Sequence, residues 1–167
     1  MKNLIITVAS LLIVALGTAH AATYSTDENY IRLDLTPLCT VDGQVNLTLS
    51  NTSGQQLFVD PHIADPALFD AASAMMYLYK MDDNSLVGLQ PLKEYIRTSD
   101  WSVLAAGAEI SYPIDFTQYA SLDTAKSYKA GAELHIDLLL DDGHKVSLIL
   151  DSAVLNKYVE IPSNCFK

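Results

Sequence analysis

Residues 134–150 read LHIDLLLDDGHKVSLIL, and the way this stretch folds back on itself decides the fold. Apolar residues alternate with polar ones on both sides of Asp141-Asp142-Gly143, the period-two signature of half-buried strands flanking a turn. A three-residue loop with Gly143 in the left-handed position sets Leu138 opposite Val146, Ile136 opposite Leu148 and Leu134 opposite Leu150, with Leu140 facing His144. A two-residue Asp142-Gly143 turn would set the same leucines against Lys145 and Ser147. Burial selects the three-residue loop, because a slip of one residue turns a strand's whole apolar set to the wrong face.

Outward from this hairpin the same alternation recurs. Ile31, Leu33 and Leu35 alternate with Arg32 and Asp34, and Val45, Leu47 and Leu49 with Asn46, Thr48 and Ser50. Asn51 to Gly54 is a turn cluster. Gln56 to Asp60, Met75 to Met81, Ser85 to Leu89, Leu92 to Ile96 and Lys157 to Ile161 are further strand candidates, and Ile110, Tyr112, Ile114 and Phe116 recur every second residue. Short strands with regular turn signals predict an all-β chain, an immunoglobulin-like antiparallel β-sandwich.

Two segments break the pattern. Pro61 to Ala74 predicts a short helical loop, a helix from Pro66 to Ala74 with Asp65 as N-cap and Pro66 at its first position. Arg97 to Ala106 reads as a second long loop. Asp115 to Lys126 is mixed and polar, with room for a helical turn.

The first residues fix the chemistry expected of the two cysteines. Met1-Lys2-Asn3 is a short basic start, Leu4 to Leu16 is apolar, and Ala19-His20-Ala21 has the small-x-small form of a cleavage site. Residues 1–21 read as a secretory signal peptide, too short in its apolar run to span a bilayer, and residues 22–167 as one β-sandwich domain, periplasmic or secreted, with no membrane span after cleavage. In an oxidising compartment Cys39 and Cys165 are expected to form a single disulfide.

The 167 residues carry 10 Lys+Arg against 20 Asp+Glu, a formal net charge of −10. Nucleic acid and anionic membranes are disfavoured partners, since both attract cations. No Gly-x-Ser-x-Gly, His-Glu-x-x-His or phosphate-binding glycine loop occurs, so catalysis has no sequence signature here. No cofactor is expected. In the hairpin register His144 faces the side of Leu140 while His135 and Asp137 face the other, so these cannot converge on one metal ion. His62 with Asp60, Asp65 and Asp70 matches no calcium loop. Asn46-Leu47-Thr48 and Asn51-Thr52-Ser53 match the glycosylation pattern and are read as chance matches in a chain with a compact, bacterial-style leader.

A binding signal lies in Leu92 to Trp101, LKEYIRTSDW, where Lys93, Tyr95, Arg97 and the single tryptophan gather in an otherwise acidic chain. Trp, Tyr and Arg combine large contact area with a directed polar group and dominate binding hot spots. If extended, the stretch sets Lys93, Tyr95 and Arg97 on one face. Trp101 is divided evenly between contact surface and core.

Leu47 to Asn51, Gly88 with Pro91 and Lys93, Leu104-Ala105-Ala106-Gly107-Ala108, and Ile114-Asp115-Phe116 with Tyr119 together resemble the immunoglobulin-like prodomains of secreted lysine-specific metallopeptidases, across less than half of the chain. The resemblance implies a free-standing domain that binds or masks a peptidase or another exported enzyme. The sequence thus points to an exported protein-binding domain, an inhibitor or immunity-type factor. Its anchors would be Trp101, Tyr95 and Arg97, the acidic loop Asp60 to Asp70 would steer a basic partner, and Lys93, Asp60, His62 and Asp65 would complete the partner-binding residues. A structural or surface-assembly module, and a metal-binding protein or unrecognised hydrolase, are the alternatives.

Overall fold

A computed structural model describes residues 24–25, 28–95 and 100–166. The chain runs β1 (Tyr24–Ser25), β2 (Ile31–Thr40), β3 (Gly43–Asn51), β4 (Leu57–Val59), α1 (Pro61–Ala64), β5 (Met76–Lys80), β6 (Leu86–Val87), β7 (Ser102–Leu104), β8 (Glu109–Ile114), α2 (Phe116–Tyr119), β9 (Tyr128–Leu140), β10 (Lys145–Asp151) and β11 (Val159–Ile161). A 3₁₀ turn over Ser163–Cys165 follows.

The fold is all-β and sandwich-like, as the alternating pattern predicts. One sheet of three strands has the order β2-β3-β8. The other, of eight strands, is organised by the thirteen residues of β9. The first half of β9 pairs with β5 on one side and β11 on the other, and the second half with β4 and β10. Both sheets feed one apolar core: Ile31, Leu33, Leu47 and Leu49 from the smaller meet Leu57, Leu78, Leu134, Ile136 and Leu148 from the larger, all essentially inaccessible to solvent. Each such side chain contributes roughly 1.5–3 kcal/mol of hydrophobic stabilisation.

The hairpin takes the register that burial selects. Val146 lies opposite Leu138, Leu148 opposite Ile136 and Leu150 opposite Leu134, and Gly143 sits at φ 83°, where a side chain would be strained. The Gly143 N–H donates to the Leu140 carbonyl and the Leu140 N–H to the His144 carbonyl, each at 2.9 Å. Cys39 and Cys165 are bonded across a sequence separation of 126, tying the end of β2 to the C-terminal turn.

Four local expectations are corrected. The helix forms over Pro61–Ala64, one Asp-Pro pair earlier than expected: Asp60 caps it, Pro61 opens it and Asp65 ends it. Residues 66–74 instead make two separate turns. Asp65 opens the first, its carboxylate accepting the Ala67 N–H at 2.8 Å, and Asp70 opens the second, accepting the Ser73 N–H at 2.9 Å. They are held apart because Phe69 is buried against Tyr112, ring centroids 4.0 Å apart. No strand forms over Leu92 to Tyr95. The N–H groups of both Leu92 and Lys93 donate to the same oxygen of Asp70, whereas successive N–H groups of a strand point to opposite sides. The loop read over Arg97 to Ala106 contains β7, which pairs with β4. Finally the large sheet is not wholly antiparallel, since β1 lies parallel to β10.

Candidate functional site

Between the residues of β9 paired with β4 (138–140) and those paired with β5 (128–132), one edge of the strand is left without a sheet neighbour. The segment from β4 to β5 must cross this gap, and it does so as α1 and the two aspartate-led turns, rejoining β9 where the Glu133 N–H donates to the Met75 carbonyl at 3.1 Å. The crossing leaves a pocket of about 210 Å³, walled by this segment, by residues 93–95 and by Leu134 and His135 of β9.

Asp60 organises the pocket. Its position at the end of β4 makes it the cap of α1, and one carboxylate oxygen accepts the His62 N–H at 2.8 Å while lying 2.9 Å from His62 Nδ1. The other accepts the Tyr95 hydroxyl at 2.8 Å, and the His62 and Tyr95 rings pack with centroids 4.5 Å apart. Partial burial opposes ionisation of this carboxyl. The His62 N–H, the Tyr95 hydroxyl and the His62 ring together outweigh that cost and hold the carboxyl below the usual carboxylate range.

The second wall is fastened by Asp70 and Lys93. Asp70 is buried and ties Leu92 and Lys93 to the turn it opens. The Lys93 ammonium donates to the carbonyls of Ala67 at 2.6 Å and Phe69 at 3.1 Å. Its cation therefore holds the pocket together. Asp65 is exposed at the end of α1.

The residues singled out in the sequence thus fall into two groups. Asp60, His62, Lys93 and Tyr95 converge on one pocket. Trp101 does not line it. The indole is half-buried beside β7, on the outer face of the large sheet, with the Lys145 ammonium 6.0 Å from its ring. Arg97 lies outside the described residues.

Of the apolar rim, sequence reasoning finds Tyr95 and misses Leu68 and Met75. Leu68, Met75 and Tyr95 all line the pocket, and they are 40%, 48% and 49% exposed. Leu68 comes from the stretch expected to be helical and Met75 from the start of the strand expected after it, so no single period marks them as a pair. The pocket therefore offers an apolar mouth over a floor with fixed hydrogen-bonding groups, the composition of a binding pocket.

Chemically, His62 has one ring nitrogen held by Asp60, the arrangement that orients an imidazole base. Ser73 lines the same pocket, but among the described residues no hydrogen bond joins its hydroxyl to His62 or His135. Among the described residues no serine, threonine or cysteine is hydrogen-bonded to the His62 imidazole, whose bond is to Asp60. Nor do three or more His, Cys, Asp or Glu side chains converge as a metal cluster among the described residues.

Asn51 is 2% exposed, and its amide donates to the carbonyls of Gln55, Leu104 and Ala105. A glycan on this atom is incompatible with the fold, whatever the sequon pattern. No helix among the described residues is long and apolar enough to cross a membrane. No protein-family model matches the chain, and no curated protein matches it significantly.

Proposed function

We propose that this chain is an exported protein-binding domain that acts as an inhibitor or immunity-type factor, covering the cleft of another exported protein, such as a peptidase or other hydrolase. The observation that carries the reading is the gathering of Leu68, Met75 and Tyr95, large and half-exposed, around one pocket whose polar groups are already fixed by Asp60, Asp70 and Lys93. A pre-organised pocket with apolar anchors loses little conformational entropy on binding, which favours tight and specific contact. The Cys39–Cys165 bridge and the leader-like residues 1–21 support an oxidising, exported setting. The net charge of −10 favours a basic partner and speeds encounter with it.

The test is retention of exported proteins by the immobilised chain beside its Leu68→Asp variant, followed by assay of the retained protein's own activity with each. The reading expects a protein held by the parent, released by the variant and inhibited on binding. Equal retention by both forms removes the pocket from the account. Retention without any change in the partner's activity removes the inhibitor role. A surface-assembly module draws its support from Val103, 55% exposed on β7, and expects self-association that rises with concentration in sizing chromatography.

A further inference from the structure

A second concavity adjoins the pocket and shares Met75 with it. Its floor is Tyr77 on β5, its walls include Tyr79 and Tyr158, and Glu133 and Asp151 stand on its rim. The floor is built around an absent side chain. Tyr77 lies opposite Gly131 in the sheet register, and a Cβ on Gly131 would come within 2.4 Å of the Tyr77 ring. The ring therefore lies flat over the glycine, and its hydroxyl is locked to Ser152 at 2.9 Å. Tyr79 and Tyr158 meet this ring edge-on, with centroids 5.6 and 6.4 Å away.

Two observations say what such a groove takes. Glu133 and Asp151 are direct cross-strand partners, a juxtaposition of like charges that costs stability in a sheet. Among the described residues neither pairs with a lysine or arginine: Glu133 contacts His135, and Asp151 accepts the Tyr77 hydroxyl and the Ala153 N–H. The second observation comes from within the chain. Lys129 sets its ammonium 4.5 Å from the centroid of the Tyr158 ring, so a tyrosine of this groove already presents its face to a cation.

We propose that the tyrosine groove docks a lysine or arginine side chain of the partner protein, placed between the aromatic faces and the Glu133–Asp151 pair. The proposal rests on the reading of this face as a partner-binding surface and adds the partner's chemistry: a segment with an apolar residue for the pocket and a basic residue beside it. Attraction to the two carboxylates relieves their mutual repulsion, and the rings supply a cation-binding surface that excludes water.

The experiment titrates the full chain with a pentaarginine peptide by calorimetry, and in parallel with a neutral linear hexasaccharide, the other ligand an aromatic surface attracts. Tyr79→Leu and the double variant Glu133→Gln/Asp151→Asn are each expected to weaken peptide binding roughly tenfold. Asp141→Asn/Asp142→Asn removes the same charge at the hairpin tip and is expected to change it less than about twofold. Tyr79→Phe, which keeps the ring, retains binding, and melting temperatures confirm that each variant is folded. Equal losses from both charge-removing pairs, absence of peptide binding, or a hexasaccharide that binds through the same tyrosines would overturn the proposal. Leu68→Asp separates the two readings, because it alters the pocket and leaves the groove intact. If partner retention survives Leu68→Asp while the peptide still maps to the groove, the pocket assignment fails and the groove stands.

Discussion

Replacing Asp60 with alanine removes the group on which the pocket is built, and its cost follows from three contacts. Loss of the side-chain cap on α1, the 2.8 Å bond from the His62 N–H, costs about 1 kcal/mol. The bonds from Tyr95 and the His62 ring go to a charged acceptor, but all three side chains have some access to water. Water replaces part of each bond, leaving about 0.5 kcal/mol apiece. The total is about 2 kcal/mol, a fall in melting temperature of roughly 4–8 °C for a domain of this size. The pH dependence is equally specific. The Asp60 carboxyl is held below its unfolded value of 3.8, so its ionised form adds stability that is present above that pH and lost as pH falls through the folded value. Paired thermal melts at pH 7 and pH 3 are therefore expected to show a smaller gap between parent and Asp60→Ala at the acid end. The cap bond, which a neutral carboxyl still makes, keeps the gap from vanishing. A gap under 2 °C at pH 7, or one that widens in acid, would refute the role given to Asp60.

Three further outcomes are expected. Gly131→Ala should cost about 1–3 kcal/mol in chemical denaturation, and part of that should disappear in a Tyr77→Ala background, because the added methyl meets the Tyr77 ring at 2.4 Å as well as the buried Ser152 hydroxyl at 2.6 Å. Asn51→Ala should cost roughly 2–4 kcal/mol by the same measurement, since it strips three carbonyls of a donor at a site where β3 meets the β7 turn. Cys39→Ser/Cys165→Ser should lower the denaturation midpoint by the equivalent of roughly 4–5 kcal/mol, the chain-entropy value for a loop closed across 126 residues. A loss below 1 kcal/mol would mean that β2 and the C-terminal turn are held together by packing alone.

What the sequence made legible was whatever rests on a local period or a unique pairing. The 134–150 hairpin could be read to the residue, because only one loop length buries Leu134, Ile136, Leu148 and Leu150 together. Two cysteines allow one bridge. The helix forms one turn signal earlier than the sequence predicts because Asp60-Pro61 and Asp65-Pro66 carry the same start signal, and only the burial of Phe69 and Asp70 decides between them. Sequence alone does not show that the Ala67 and Phe69 carbonyls lie within reach of the Lys93 ammonium, because residues 67–69 and 93 are brought together only by the fold. The tyrosine groove did leave a trace. Tyr77 and Tyr79 two apart within a strand share a face, but the glycine that lays Tyr77 flat lies 54 positions away, and nothing local connects them. Sites assembled across β9 from distant segments are visible only once the strands are paired.

The most direct test of the account is a hydrogen-exchange footprint of this chain in complex with the exported protein it retains. Binding through the pocket and the tyrosine groove predicts slowed exchange at 60–80 and at 93–95, with the β2-β3-β8 sheet unchanged. Protection concentrated on that smaller sheet, with 60–80 exchanging as in the free chain, would contradict it.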